Sequence, residues 1–169
     1  FPGSSTATND TPVGTYYTDS VGTNGAWRWL KTSTGSGVAR WTVVYGDTGQ
    51  RNITDLLAAE LRDTVRATLE RVGNRVLLQL RGTFPTPNKT GLVLTLPTGF
   101  QKRSGDMVGT PGLQISNLSQ YAGATLYMAT DNPTNNVYLS GTTAGLSLGF
   151  ILEFTTSQAW PTTLPGTPA

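Results

Sequence analysis

Val65-Arg66-Ala67-Thr68-Leu69-Glu70-Arg71-Val72-Gly73-Asn74-Arg75-Val76-Leu77-Leu78-Gln79-Leu80-Arg81 carries the most regular pattern of the chain. Val65, Ala67 and Leu69 alternate with Arg66, Thr68 and Glu70; after Gly73-Asn74, Val76, Leu78 and Leu80 alternate with Leu77, Gln79 and Arg81. A period of two places successive side chains on opposite faces of a strand. A Gly-Asn pair between two such runs closes a two-residue hairpin. Downstream, residues 91–96, 112–118, 123–129, 136–140 and 146–155 read as further short strands, each bounded by Gly, Pro, Asn or Asp. That spacing predicts an antiparallel β-sandwich or barrel of about a hundred residues over 65–160.

Immediately upstream, residues 53–64 (ITDLLAAELRDT) carry Ile53, Leu56, Leu57 and Leu61 at the spacing of three and four that marks an amphipathic stripe. Asn52 stands where an N-cap would, so the pattern predicts one helix of roughly three turns. A helix so short is marginal alone, and its leucine edge needs a partner. Residues 13–52 form a small β module containing the runs Gly14–Tyr17 and Trp41–Tyr45. It holds Trp27, Trp29, Trp41 and Tyr45, more aromatic surface than about 40 residues can bury, so these rings are expected to form a core or interface. Residues 1–12 read as a Ser/Thr/Pro linker from an upstream region, and 161–169, with three prolines, as an extended tail.

Composition narrows the function. The 169 residues include no Cys and no His, which removes thiol nucleophiles, Cys/His metal sites and Ser-His pairs. Twelve basic residues against ten acidic ones give no electrostatic footprint for nucleic acid. No apolar run approaches the ~18 residues of a membrane span. Nine charged residues lie between Arg51 and Arg75 and seven in the following 94, leaving a downstream domain rich in Thr, Asn and Tyr. Asp47-Thr48-Gly49 occurs once, so it lacks the second carboxylate of an aspartic protease and reads as a turn. Glycoside hydrolysis needs two convergent carboxyl groups, and the region beyond the hairpin offers only Asp106, Asp131 and Glu153. The chain is therefore expected to be non-catalytic, with no cofactor and no metal.

The stretches Gly25-Ala26-Trp27-Arg28-Trp29-Leu30-Lys31 and Trp41-Thr42-Val43-Val44-Tyr45-Gly46-Asp47-Thr48-Gly49-Gln50-Arg51-Asn52-Ile53 resemble a cassette of minor tail proteins and tail-fibre ends of phages infecting Gram-positive, especially actinobacterial, hosts. Leu96-Pro97-Thr98-Gly99-Phe100 and Trp160-Pro161-Thr162-Thr163-Leu164-Pro165-Gly166 are similar to parts of the head domain of those proteins. Gln50 departs from that pattern, which carries Trp there.

The resemblance implies a homotrimeric receptor-binding tip in the virion, acting outside the host cell. Residues 13–52 would be its shoulder, 53–64 its neck helix and 65–160 its β head. Its partners would be two further copies, other tail or baseplate proteins, and a host cell-wall polysaccharide or teichoic-acid-like glycan. In a trimer, Ile53, Leu56, Leu57 and Leu61 would pack as a three-helix neck. Saccharide sites combine flat apolar faces with Asp, Asn, Gln or Arg. Tyr121, Tyr127, Asp131, Asn132, Asn135, Asn136 and Tyr138 supply the densest such combination, and Arg103 with Asp106 forms a second charged loop. Asx residues in such a loop also satisfy their own backbone, so a plain turn is the competing reading. The remaining alternatives are a structural cap for a tail or collar fibre and a glycan depolymerase.

Overall fold

In the computed structural model, residues 11–35, 40–84, 91–103, 108–114, 121–128, 135–141 and 147–169 are described. Strands β1 (Tyr16–Thr18), β2 (Ala26–Lys31) and β3 (Trp41–Gly46) form a small antiparallel sheet in the order β1-β2-β3. The central strand is the Trp-rich stretch Ala26–Lys31, whose pairing irregularities at Ala26/Arg28 and Arg28/Trp29 break the simple alternation that betrays a strand. Trp29 and Trp41 are buried with Ala26, and Tyr17, Val43 and Trp160 pack against them. Of the other rings expected in a core or interface, Trp27 and Tyr45 lie on exposed positions.

The larger sheet is built from β4 (Arg51–Asn52), β5 (Val65–Val72), β6 (Arg75–Thr83), β7 (Gly91–Thr95), β8 (Val108–Gln114), β9 (Tyr121–Met128), β10 (Asn136–Ser140), β11 (Ser147–Thr155) and β12 (Thr167–Pro168). Its order is β12-β4-β5-β6-β11-β8-β9-β10-β7 and every pairing is antiparallel. The hairpin expected from the sequence lies inside this sheet: β5 and β6 pair from Val65–Gly82 to Val72–Arg75. Gly73 turns at φ +58°, the left-handed value a type II′ turn requires at its first central position. β11 then pairs along the whole of β6. Val65, Ala67 and Leu69 meet Val76, Leu78, Leu80, Phe150 and Leu152 in one core that extends to Val93, Leu126, Val137 and Leu139.

Residues 53–64 do not form the expected helix. They make two short 3-10 turns, Thr54–Leu56 and Ala59–Leu61, separated by extended backbone at Leu57 and Ala58. The backbone groups that a helix would bond internally go sideways. Ile53 N donates to Ala67 O (2.9 Å), Ala58 N donates to Val93 O (2.7 Å), and Leu57 bridges to Leu94 on β7, the far end of the strand order. Asn52 does act locally, its Oδ1 accepting from Thr54 N, but it opens a single turn. Ile53, Leu57 and Leu61 are at most 1% exposed, so the stripe assigned to a three-chain neck is spent on the core of this one chain. Burying each is worth ~2 kcal/mol, well beyond the small helix preference of a twelve-residue segment. Leu56 alone of the four stays substantially exposed. Among the described residues no helix is long and apolar enough to cross a membrane.

Arg51 and Asn52, grouped with the upstream module by sequence, pair with β5 and β12 in the larger sheet. The tail 161–169 is extended, as its prolines require, yet docked. Thr167–Pro168 is an edge strand on β4, where a proline costs no shared hydrogen bond. Arg51 Nε and Nη2 donate to the carbonyls of Pro165 and Gly166 at 3.1 and 2.9 Å.

Arg71 joins the two sheets to this tail. It occupies an inward position of β5, following Val65, Ala67 and Leu69, and is 6% exposed. Its guanidinium donates to four carbonyls: Nε to Gly73 (2.8 Å), Nη1 to Gly99 and Ala159, and Nη2 to Gln158 (3.0 Å). It also lies 4.7 Å from the ring centroid of Trp160, whose Nε1 donates to Asn24 O beside the small sheet. Burial pushes the Arg71 pKa down to about 10, so it remains charged at neutral pH. Gly46 of β3 makes room for this stack: a Cβ there would sit 2.6 Å from the Trp160 ring. The link is completed by Thr48 N donating to Arg71 O and Gly73 N donating to Gly46 O.

Two outcomes follow from this packing. Arg71→Met leaves four carbonyls without their donor and is expected to lower the urea unfolding free energy by about 3 to 5 kcal/mol, with Arg71→Lys recovering little because it lacks the planar fork. The Asp19 carboxylate, which accepts from Val21 N and Thr23 N, is held at about 2, below its ordinary 3.8, first by the Thr23 hydroxyl and then by these amides. A depressed carboxylate stabilises the fold fully above its unfolded value and loses that contribution as pH falls through the folded one. Urea midpoints measured from about pH 4 down to about pH 2 should therefore fall in the wild type and fall less steeply in Asp19→Asn.

Candidate functional site

Two of the three tyrosines singled out by sequence, Tyr127 and Tyr138, meet on the outer face of β7, β10 and β9. On β10, Val137 and Leu139 enter the core, and on β9 Ala124, Leu126 and Met128 do the same. Alternation therefore turns Asn136, Tyr138, Thr125 and Tyr127 to the opposite face. Register completes the arrangement, because Tyr138 lies directly across from Tyr127 on one side and from Leu92 on the other. Residues opposite each other in antiparallel strands share a face, so Leu92, Tyr138 and Tyr127 form one apolar row across three strands.

The two phenol rings stack with centroids 5.7 Å apart and planes 25° from parallel. Asn136 Nδ2 donates to Tyr138 Oη at 3.2 Å, and Thr95 Oγ1 donates to Asn136 Oδ1 at 3.1 Å. This chain of hydrogen bonds fixes the Tyr138 ring and leaves hydroxyl and amide groups along its border. Leu92, 43% exposed, extends the surface. The result is a shallow platform suited to contact with a flat molecule that presents C–H on its face and hydroxyls at its edge. Neither Leu92 nor Thr95 was marked by the sequence. Both sit in the uniformly apolar-looking run GLVLTL, where nothing distinguishes the outward residues from the inward ones.

The other expected contacts are dispersed. Asn135 adjoins the platform through its carbonyl, which accepts from Leu96 N, while its side-chain Oδ1 is buried without a hydrogen-bond partner. Tyr121 lies on β9 opposite Leu113, but its side chain is outside the described residues, as are Asp106, Asp131 and Asn132. Arg103 is exposed and anchored through its backbone N to Thr155 O (3.1 Å). Among the described residues no hydrogen bond or ring contact joins it to the tyrosines.

The acidic groups have local roles. Asp47 Oδ1 accepts from Gly49 N at 2.7 Å, the geometry of a turn. Glu153 faces outward from β11 and pairs with Arg75 at 2.7 Å. Among the described residues there is no group of three or more His, Cys, Asp or Glu placed to hold a metal. No protein-family model, curated protein or solved structure matches the chain.

Proposed function

We propose that the protein is a non-catalytic receptor-binding module of a phage tail, attaching the virion to a saccharide of the host cell wall. The observation that carries this reading is the Tyr127–Tyr138 stack, held outward by Asn136 and Thr95 on a rigid three-strand face. Rings placed on strands lose little conformational entropy when a ligand arrives, and hydroxyls at their border can exchange water for sugar hydroxyls. The order of the tail-protein-like motifs along the chain supports the same assignment. So does the commitment of Glu153 to Arg75 and of Asp47 to its own turn, which leaves neither carboxylate poised for acid-base work.

In this reading the nine-stranded sheet, whose far strand β7 is tied back through Leu57–Leu94, is a barrel-like head. The small sheet is a shoulder whose exposed Tyr16, Trp27 and Tyr45 meet neighbouring copies in a homotrimer. Three weak sites per trimer and many trimers per virion would turn low single-site affinity into firm attachment.

Tyr138→Ala is expected to reduce retention on immobilised cell-wall polysaccharide from a Gram-positive, actinobacterial host by about tenfold, the loss of a base or sugar stacking contact worth ~1 to 1.5 kcal/mol, without changing the fold. Wild-type protein that shows no retention would overturn the attachment reading in favour of a structural fibre cap. New reducing ends on the polysaccharide would overturn its non-catalytic part. Light scattering should give three times the 18.0 kDa chain mass, and a monomer would remove the trimer.

A further inference from the structure

A second concave region lies away from the tyrosine face, between the small sheet and the C-terminal segment. It has a volume of about 690 Å³, within the ~300 to 1,000 Å³ of small-molecule sites. Trp29 and Trp41 line it from the small sheet and Trp160 from the segment that follows β11, so three of the chain's four tryptophans converge there. The Trp160 ring is not free to collapse into the space. Arg71 stacks on it and Asn24 O holds its Nε1 at 2.9 Å.

Two properties define what this cleft would hold. The first is charge. None of the described residues lining it is acidic, and their one cation, Arg71, already donates to the carbonyls of Gly73, Gly99, Ala159 and Gln158. A cation would find no carboxylate, and the Arg71 guanidinium, 6% exposed and covered by the Trp160 ring, is shielded from direct pairing with an anion. The second is unspent hydrogen-bonding capacity. Ser157, Gln158 and Thr162 line the cleft, and their side chains make no hydrogen bond to any described residue. The fixed, half-buried Trp160 ring, with Trp29 and Trp41 nearly covered behind it and uncommitted hydroxyls and an amide at its border, matches a molecule with apolar C–H faces and many neutral hydroxyl groups.

The geometry points to this cleft as a binding site for a short, uncharged oligosaccharide, separate from the Tyr127–Tyr138 platform. A proline-rich peptide also favours aromatic grooves, but it offers few donors or acceptors to the three uncommitted side chains. With no carboxylate among its described lining residues, the cleft binds its sugar without cleaving it. The inference does not rest on the tyrosine platform.

The test is a titration of the full chain with neutral hexose and N-acetylhexosamine oligosaccharides, with a glycerol-phosphate polymer and with a proline-rich peptide, followed by tryptophan fluorescence. A saturable change with a neutral oligosaccharide is expected. The double variant Gln158→Ala/Thr162→Val, which removes no side-chain hydrogen bond among the described residues, should weaken it about tenfold or more, whereas Tyr138→Ala should leave it unchanged. Three results would overturn the proposal: no response to any neutral saccharide, a response untouched by the double variant, or saturation by the phosphate polymer or the peptide alone. If Tyr138→Ala abolishes wall retention while the cleft stays silent, the cleft assignment fails and the platform reading stands.

Discussion

A single buried guanidinium sets the geometry of everything around it. Arg71 takes an inward position on the central hairpin, where removing a charge from water is costly unless its donors are met. They are met by carbonyls from three separate places: the hairpin turn at Gly73, the Pro97–Gly99 corner, and the Gln158–Ala159 segment after β11. The Trp160 ring covers the guanidinium and reaches across to Asn24. Because backbone carbonyls accept along defined directions, a planar fork fixes position as well as distance. The small sheet, too slight to be stable alone, is thereby completed by a ring supplied from the other end of the chain.

What could be read from the sequence follows a physical rule. The β5–β6 hairpin is legible because strict alternation and a Gly-Asn turn act over a few residues, whereas the run 112–118 meets β8 only at 112–114, because Gly109, Pro111 and Gly112 read as breakers. The segment 53–64 misled because Ile53, Leu57 and Leu61 share a spacing that suits a helix and suits two 3-10 turns joined by extended backbone. What decided between them was Val93 and Leu94, about forty residues away, accepting and bridging the chain at Ala58 and Leu57. Ala26–Lys31 was missed as a strand because its irregular pairing hides the period of two.

The sites divide in the same way. Tyr127, Asn136 and Tyr138 lie close in sequence, so their juxtaposition could be anticipated, although the flanking Leu92 and Thr95 could not. The cleft was invisible: Trp29, Trp41, Arg71 and Trp160 are spread over most of the chain, and each has an ordinary explanation by itself. Trp29 and Trp41 are buried with Ala26, and Trp160 packs against them. Their inner edges form a core, and only the clamp at Arg71 keeps Trp160 far enough out for a cleft to remain beside them.

The two sheets form one cooperative body held through Arg71 and Trp160. Differential scanning calorimetry on the intact chain tests this most directly. One unfolding transition, with calorimetric and van't Hoff enthalpies that agree, is the predicted result. Two separable transitions, the first carrying the loss of the Trp29–Trp41 environment, would contradict it.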